Sequence, residues 1–381
     1  MSTPRFIDIH ALQTMPYSNL NRDDQGAPKT VLFGGAERTR ISSQSWKRVV
    51  RHRVEHVLGD TAVRTRRVVR GVAERLQRQG WAAEEAEAAG RQVARSAGNG
   101  IKLERSKDEN DQEILTTSVL LYLPEAGMDE LTAVAAAHRE EVVAEEAKPE
   151  GKRKGVLPGE EIAEILGRRS AAINLFGRML AELPGANVDG AVQFAHAFTT
   201  HGTNVEYDFF AAVDDVEQQL GIPGSGHINT AMFSAGTFYR YANIDLRGLA
   251  ANLGEDPATG RELLTAFLNA FITSLPTGKA TATAPSGVPD LVHIAVRDDR
   301  PLSLASAFEA PIRPAEGHFA PSLAAIDAYA ESANALLGAD HRLWAGHTLA
   351  GGDKPTRLGT RHASYEALVG AAVATWSEGS A

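Results

Sequence analysis

The order of strand-like and helical segments constrains the fold of this chain more than any other feature. Residues 5–12 alternate apolar and polar side chains, as a strand with one buried face does. Further strands are predicted at residues 190–200, 232–246 and 291–296, and helices at about 42–58 and 260–275. Strand, helix, strand, strand, helix, strand is the order of the split βαβ fold. We therefore expect an α+β protein with a ferredoxin-like sheet, in which Val192, Phe194, His196 and Phe198 share one strand face.

The first predicted helix has two distinct faces. Ser42 can cap its first turn, and its buried face is formed by apolar residues at helical spacing: Trp46, Val49, Val50, Val54, Val57 and Leu58. The opposite face carries Gln44, Lys47, Arg48 and Arg51, which follow one another at three to four residues. Free N–H groups at the helix start, serine hydroxyls and a cation one turn later suit a phosphate group. The open alternative is a capped helix with a solvated basic face.

Charge is distributed unevenly along the sequence. The 381 residues carry a net charge of −9, which gives no general preference for nucleic acid. Residues 37–80, however, hold 12 Lys and Arg against 4 Asp and Glu. Any nucleic-acid surface is therefore expected near the first predicted helix.

Residues from about 60 to 180 differ in amino-acid composition from the segments on either side. They are rich in Ala, Glu and Arg, with apolar residues at helical spacing such as Val68, Val69, Val72 and Leu76. A polar, basic segment spans residues 148–155. We expect an inserted, mostly helical domain with an exposed basic loop.

A connection of roughly 30 residues separates the strands at 190–200 and 232–246, and loops of that length are usually functional or disordered. It contains Phe209 and Phe210. Aromatic side chains in a loop can stack on nucleobases or wedge between them. The alternative, that the two rings anchor the loop to the body, remains equally open.

Several classes of protein are excluded or disfavoured. The absence of cysteine excludes disulfides, thiolate nucleophiles and cysteine-ligated metals. No apolar stretch approaches about 18 residues and no apolar signal region follows Met1, so we expect a cytoplasmic protein without membrane contact. Asp23 and Asp24 could ligate a divalent metal, but adjacent loop carboxylates are usually only solvated. No P-loop, His-Glu-x-x-His motif or Gly-x-Ser-x-Gly elbow occurs, so neither a cofactor nor catalysis is expected.

Several short sequence segments together resemble those of one known family. They are Leu20-Asn-Arg-Asp-Asp24, Phe33-Gly-Gly35, Arg40-Ile-Ser-Ser-Gln-Ser-Trp-Lys-Arg48, Gly177-Arg-Met179, Asp189-Gly-Ala-Val-Gln-Phe-Ala-His-Ala-Phe-Thr-Thr-His201, Asp208-Phe-Phe-Ala-Ala-Val-Asp-Asp215, Phe238-Tyr-Arg-Tyr-Ala-Asn-Ile-Asp-Leu246 and Pro301-Leu-Ser-Leu-Ala-Ser-Ala-Phe-Glu309. In this order they resemble the CasC family, the repeated backbone subunit of the type I-E CRISPR Cascade complex. The resemblance is dense over about half of the chain.

The resemblance implies a hand-like fold. An RRM-like palm would comprise residues 1–58, 183–200 and 229–381, helical fingers residues 59–182, and a thumb loop residues 201–228. It further implies that copies assemble head to tail along one CRISPR RNA (crRNA), with other Cascade subunits, and present the guide for pairing with target DNA.

Site residues follow from the resemblance by position. RNA contacts fall on Arg22, Ser42, Gln44, Ser45, Lys47, Arg48 and Arg51, and contacts near a periodic kink in the guide fall on Met179 and Phe210. Phe209 belongs to the implied RNA contacts as well: it stands where the family has a Trp, so its ring is expected to stack more weakly. From charge alone, Lys148, Lys152, Arg153 and Lys154 are candidates for steering target DNA, although a solvated linker explains them equally well.

Two other functions stay open at this point. One is a metal-dependent CRISPR-associated ribonuclease that uses Asp23 and Asp24, because some relatives in other CRISPR systems cut RNA. The other is a stand-alone single-strand binding protein without a guide.

Overall fold

A computed structural model describes residues 3–98, 100–212, 227–254, 257–314, 316–351 and 355–379. The chain divides into two compact units. The first comprises Met1–Arg53, Val192–Ala250 and Gly254–Ala381, and the second comprises Val54–Ala191 and Ala251–Leu253. None of the described helices is both long and apolar enough to cross a membrane.

Strands and helices are numbered along the chain. The strands are β1 Phe6–Ser18, β2 Thr30–Phe33, β3 Ala36–Ile41, β4 Ala62–Thr65, β5 Leu103–Lys107, β6 Glu113–Thr117, β7 Leu121–Pro124, β8 Val192–Phe194, β9 Ala197–Thr199, β10 Glu206–Ala212, β11 His227–Asp245, β12 Leu291–Arg297, β13 Arg342–Leu349 and β14 Thr360–Arg361. The α-helices are α1 Ser43–Leu58, α2 Val68–Arg78, α3 Ala83–Ser96, α4 Glu125–Ala137, α5 Arg139–Glu146, α6 Gly159–Gly167, α7 Ala171–Phe176, α8 Leu246–Leu253, α9 Pro257–Thr273, α10 Ala280–Thr283, α11 Phe319–Leu337 and α12 Tyr365–Gly379. Short 3₁₀ turns occur at Glu150–Lys152, Pro184–Ala186, Ala305–Phe308 and Ala339–His341.

A large mixed sheet forms the centre of the first unit. Its order is β14-β13-β12-β1-β11-β9-β3-β2, and β8 and β10 also pair with β11. Strand β1 lies between β11 and β12 and is antiparallel to both, with Phe6 opposite Asp245 on one side and Arg297 on the other. The expected α+β class is confirmed, and so are the strands at 5–12, 232–246 and 291–296 and the helix at 260–275, with bounds that differ by one to six residues.

Both faces of this sheet are covered. On one face, Leu12, Tyr239 and Leu291 pack with Leu323 and Ile326 of α11. On the opposite face, Met15 and Phe238 pack with Trp46 of α1. Strand β1 is therefore buried over nearly its whole length, with Ile7, Ile9 and Leu12 fully inaccessible. The expectation of one buried face is wrong, because the polar side chains of Asp8 and His10 on the other face are buried as well.

The strand predicted at 190–200 is interrupted, which corrects the expected side-chain alternation. Phe194 lies opposite Ala242 and Phe198 opposite Tyr239, so four residues of this segment span three residues of β11. One extra residue is a β-bulge, and it turns the side chains that follow it to the other side. His196 lies in this bulge and is exposed, whereas Val192 is buried.

The segment predicted as a loop at 201–228 contains a strand instead. Strand β10 pairs antiparallel with the start of β11, from Glu206 opposite Phe233 to Ala212 opposite His227. Tyr and Phe are strong strand formers, which explains why this segment extends. We refer to β10 and residues 227–233 as the arm. Residues 213–226, including Gly221–Gly226, lie outside the described part of the chain.

The second unit is mostly helical, with its own core. The predicted stripe of α2 is buried, and Val72 and Leu76 pack with Val93 of α3 and Leu131 of α4. Two antiparallel pairs, β4 with β7 and β5 with β6, were not predicted. Strand β5 is almost entirely exposed and so carries no alternating apolar signal. Val57 was expected in the core but is exposed.

Candidate nucleic-acid interface

The first turn of α1 is capped by the protein itself. Ser42 Oγ accepts a hydrogen bond from the Ser45 amide at 3.4 Å, as the expected capping residue should. The Ser42 amide donates to Asn21 Oδ1 and the Ser43 amide donates to His196 Nδ1, both at 2.8 Å. The expectation of free N–H groups at this helix start is therefore wrong for these three amides. A phosphate here would be held mainly by side chains.

His196 lies at the start of α1, where the sequence did not place it. Because its Nδ1 accepts from a backbone amide, the neutral ring carries its proton on Nε2. Partial burial and the nearby charges of Arg40 and Lys29 lower its pKa. The exposed side chain therefore offers a neutral N–H donor beside two cations, at the start of α1. Only the bulge brings it there.

The predicted polar stripe of α1 is accessible at its beginning and buried further along. Gln44 and Arg48 are exposed, and Ser45 and Lys47 are half-buried. Arg51 is only 7% exposed, with Nη2 lying 3.1 Å from Nε2 of His52, which corrects its placement on a solvated face. The accessible surface of α1, formed by Gln44, Ser45, Lys47 and Arg48, is called the α1 surface below.

A buried arginine supports α1 from beneath. Trp46 is fully buried, and the Arg240 guanidinium carbon lies 3.8 Å from the centre of its ring and 4.6 Å from the centre of the Phe271 ring. Arg240 Nη1 donates to Gln13 Oε1 at 2.6 Å, and Nη2 donates to the Phe271 carbonyl. Burial lowers the pKa of Arg240 to about 9, so the guanidinium remains charged at pH 7. This cation-π stack ties α1 to β1, β11 and α9.

The loop before β2 carries Arg22 and the two candidate metal ligands. Arg22 is exposed. Asp23 Oδ1 accepts from the amides of Gln25 and Ala27 at 2.9 Å each, which is a turn-forming role. Among the residues that the structure describes, no group of three or more His, Asp or Glu is arranged to hold a metal ion. The geometry does not favour the ribonuclease alternative.

The arm presents different side chains on its two faces. Tyr207 and Phe209 alternate with Asp208 and are 71% and 69% exposed. Phe210 faces the other way and is 41% exposed. Near the body, Tyr17 stacks on Phe233 with 4.2 Å between ring centres. The two phenylalanines predicted to contact RNA therefore lie on opposite faces, and Tyr207, which is not among the predicted residues, shares the face of Phe209.

The second unit holds the remaining predicted residues. Met179 is 88% exposed, next to Arg178, which is buried and donates to the carbonyls of Gly167, Arg168 and Ala186. Gly177, at φ +77°, precedes it, and a Cβ there would approach the Val188 carbonyl oxygen to 2.7 Å. A rigid turn therefore presents Met179.

The four cations proposed to steer DNA are not equivalent. Lys148 pairs with Glu145 at 2.5 Å and Arg153 pairs with Glu146 at 3.0 Å. Lys152 and Lys154 are exposed. Internal ion pairs therefore engage half of this set.

Comparisons with known proteins agree with one another. A family model described as CT1975-like protein matches residues 7–370. A chain of a "CRISPR RNA-guided surveillance complex, pre-nicking" is 51% identical, with a TM-score of 0.90 and coverage of 97% of this chain and 100% of that one. A chain of another "CRISPR RNA-guided surveillance complex" is 46% identical, with a TM-score of 0.81 and coverage of 97% and 99%. The search of curated proteins found no match.

Proposed function

The chain belongs to the CT1975-like protein family, and on that premise we propose that it is the crRNA-binding backbone subunit of a Cascade surveillance complex. The likeness to two chains of RNA-guided surveillance complexes over nearly the whole length supports membership of such a complex. The sequence segments that resemble CasC support the assignment to the repeated backbone subunit among the components of that complex.

The α1 surface is the single observation that carries the RNA-binding part of this proposal. It combines an amide, a hydroxyl and two cations on one helix, with Arg22 on an exposed loop of the same unit. Such groups hold phosphates without reading base sequence. A guide-binding subunit needs this property, because base pairing by the RNA supplies sequence recognition. Ser42 and Arg51 complete the proposed contact set, Ser42 as the cap and Arg51 from its buried position.

We propose the first unit as an RRM-like palm and the second as fingers. The order of the strands in the sheet, β12-β1-β11-β9 with antiparallel neighbours, supports a split βαβ core. Numbered by their order along the chain, β1, β9, β11 and β12 are strands one to four, so the sheet has the order 4-1-3-2. The arm corresponds to the thumb at 201–228. Phe210 of the arm and Met179 of the second unit are the proposed contacts near the kink, where an apolar wedge unstacks a base at a cost of a few kcal/mol. Phe209 is proposed to stack on the RNA.

The proposal includes partners beyond the guide. Copies would assemble head to tail along one crRNA, through a heterologous contact that does not close. Other Cascade subunits would occupy the ends, and target DNA would be reached through the guide in the cytoplasm. Of the proposed DNA-steering residues, Lys148, Lys152 and Lys154 are exposed, although Lys148 pairs with Glu145, and the half-buried Arg153 pairs with Glu146. The role proposed is structural and not catalytic.

Co-purification from cells tests this function. We expect the recovered RNA to be of uniform length, with CRISPR repeat sequence at its ends. RNA of mixed length and origin would instead support a stand-alone single-strand binding protein. Incubation of the assembled complex with RNA and Mg²⁺ should leave the RNA intact, and cleavage abolished by Asp23→Ala would support the ribonuclease.

A further inference from the structure

A cavity in the second unit gathers positive charge. It has a volume of about 390 Å³ and lies where β5 and the middle of β6 meet the 3₁₀ turn Glu150–Lys152. Its charged lining consists of Arg95, Lys102, Arg105 and Arg153, with Glu150 as the lining carboxylate. Four cations thus face one anion. We name this cavity the hairpin pocket.

Internal ion pairs do not neutralise this charge. Glu146 is 9% exposed and receives Arg91 Nη2 at 2.9 Å, Arg153 Nη1 at 3.0 Å and Arg95 Nη1. Arg91 also lies 3.7 Å from Glu87. Because Arg95 and Arg153 share the one carboxylate of Glu146, about one positive charge is left between them.

The remaining two cations of the hairpin pocket are on the surface. Arg105 pairs with Glu113 at 3.1 Å, but both side chains are more than 60% exposed, and such pairs contribute little. Lys102 is exposed, and its backbone amide donates to Ser118 Oγ. Both side chains can therefore turn to a ligand without breaking a buried contact.

The rest of the lining is uncharged. Ile101, Leu103 and Leu115 contribute apolar surface, and Gly98 and Gly155 contribute backbone. A Cβ on Gly155 would meet Ser96 Oγ at 2.8 Å, so the backbone passes close to α3 at the pocket wall. Planar guanidinium groups beside backbone and aliphatic surface suit the bidentate binding of phosphate oxygens.

Two other cavities in the described part of the second unit lack this charge excess. One of about 530 Å³ balances its four arginines with four glutamates: Arg67, Arg70, Arg91 and Arg105 against Glu74, Glu87, Glu113 and Glu150. One of about 580 Å³ is more acidic than basic, with Arg67, Arg70 and Arg75 against Glu74, Asp108, Glu109 and Glu125. The excess of positive charge therefore favours anion binding in the hairpin pocket over the other two cavities.

We propose that the hairpin pocket binds a phosphate group. The group is either a phosphodiester of a nucleic-acid strand or a free phosphate anion, since both present the same oxygens. Of the four cations first considered for DNA steering, only Arg153 belongs to this pocket. The site is independent of the α1 surface, which lies in the first unit.

A pair of matched double variants of the full chain tests the proposal. Lys102→Gln with Arg105→Gln removes two exposed cations of the pocket, and Arg78→Gln with Lys107→Gln removes two exposed cations elsewhere in the same unit. The probes are a fluorescent 12-nucleotide single-stranded DNA, followed by anisotropy, and inorganic pyrophosphate, followed by calorimetry. Thermal unfolding confirms that both variants are folded.

The pocket variant should bind at least one probe about tenfold more weakly than the control variant. For DNA, the slope of log K against log salt should fall by roughly 0.7 to 1.4, the value for one to two phosphate contacts. Loss for pyrophosphate alone identifies a small-anion site, and loss for DNA identifies a strand. Equal affinities of the two variants for both probes would overturn the proposal. Repeating the series with Lys47→Ala and Arg48→Ala present separates it from RNA binding at the α1 surface.

Discussion

The Arg240 guanidinium lies against the buried ring of Trp46, on the side of α1 that faces away from Gln44 and Arg48. It also donates to Gln13 and to the Phe271 carbonyl in the last turn of α9, where the helix dipole favours a cation. A single charged side chain thus joins two strands and two helices behind the proposed RNA surface. The position of the α1 surface depends on contacts that lie beneath it.

We expect Arg240→Ala to destabilise the protein by about 2–4 kcal/mol, because it removes packing on Trp46 and leaves two buried acceptors unpaired. Denaturant unfolding followed by circular dichroism measures the change. Arg247→Ala, at an exposed position of α8, is the control and should change the free energy of unfolding by less than about 0.5 kcal/mol. A loss below about 1 kcal/mol for Arg240→Ala would show that the stack does not support α1.

The local sequence pattern was sufficient to predict burial where a residue's position on its own helix decides which way it faces. Trp46 and Val50 lie four residues apart, so the helical period alone predicted both on the buried face, and Ser42 stands at the capping position. The alternation in residues 5–12 predicted strand β1 but not the burial of its polar face, where Asp8 and His10 lie. The helical spacing of Val72 and Leu76 predicted α2.

Sequence pattern failed where contacts between distant segments decide. His196 reaches the amide of Ser43 because of a bulge that arises only when residues 192–199 pair with β11. Burial of Arg51 likewise depends on packing and not on its helical position. The arm forms because β10 pairs with the start of β11. Exposed strands such as β5 carry no periodic apolar pattern that could predict them. Contacts of this kind require the fold itself.

The α1 surface should bind the guide through its charge and not through base identity. Lys47→Ala with Arg48→Ala should weaken binding of every guide by a similar factor and reduce the salt slope by roughly 1.4, two contacts on a single strand. Filter binding at several salt concentrations with two unrelated guides measures both quantities. Arg247→Ala with Arg313→Ala removes the same charge from exposed positions of the same unit and should leave the slope nearly unchanged. A loss that differs strongly between guides would contradict phosphate binding.

The two faces of the arm should have separable effects. Tyr207→Ala and Phe209→Ala each remove an exposed ring from one face, and each should weaken single-stranded RNA binding by about 1–3 kcal/mol through lost base stacking. Phe210→Ala, on the opposite face, should leave assembly largely intact but reduce the distortion of the guide. Chemical probing of the bound RNA measures that distortion. An unaltered probing pattern in the Phe210 variant would assign Phe210 to packing of the arm.

A row of three histidines predicts how the stability of the first unit depends on pH. His10, His293 and His347 lie directly opposite one another on β1, β12 and β13, and each is 2% exposed. Burial lowers the pKa of all three, that of His293 to about 4. The unfolded chain binds these protons near pH 6.5 while the folded chain does not, so stability falls as the pH drops from about 6.5 towards 4.

Asp8, on the same face of β1 as His10, opposes this effect. Burial raises its pKa to about 7, although it accepts hydrogen bonds from Tyr241 Oη at 2.7 Å and the Leu302 amide at 3.0 Å. The folded chain therefore keeps a proton on Asp8 that the unfolded chain loses above about pH 4, and this contribution to stability declines as the pH rises towards 7. Between pH 4 and 6.5, the folded chain thus binds one proton more at Asp8, which offsets one of the protons that it binds less at the histidines.

Asp8→Asn should therefore make stability depend more steeply on pH. Without the opposing proton, the free energy of unfolding should fall by up to about 1.4 kcal/mol more per pH unit on acidification between pH 6.5 and 4.5. Urea unfolding at pH 4.5, 5.5 and 6.5 gives the slope, which is independent of any constant loss caused by the substitution. His293→Gln should change the slope in the opposite direction, because it removes a group that must stay neutral. If the slopes of the Asp8→Asn variant and the unchanged protein coincide, Asp8 is ionised in the folded chain and the raised pKa is wrong.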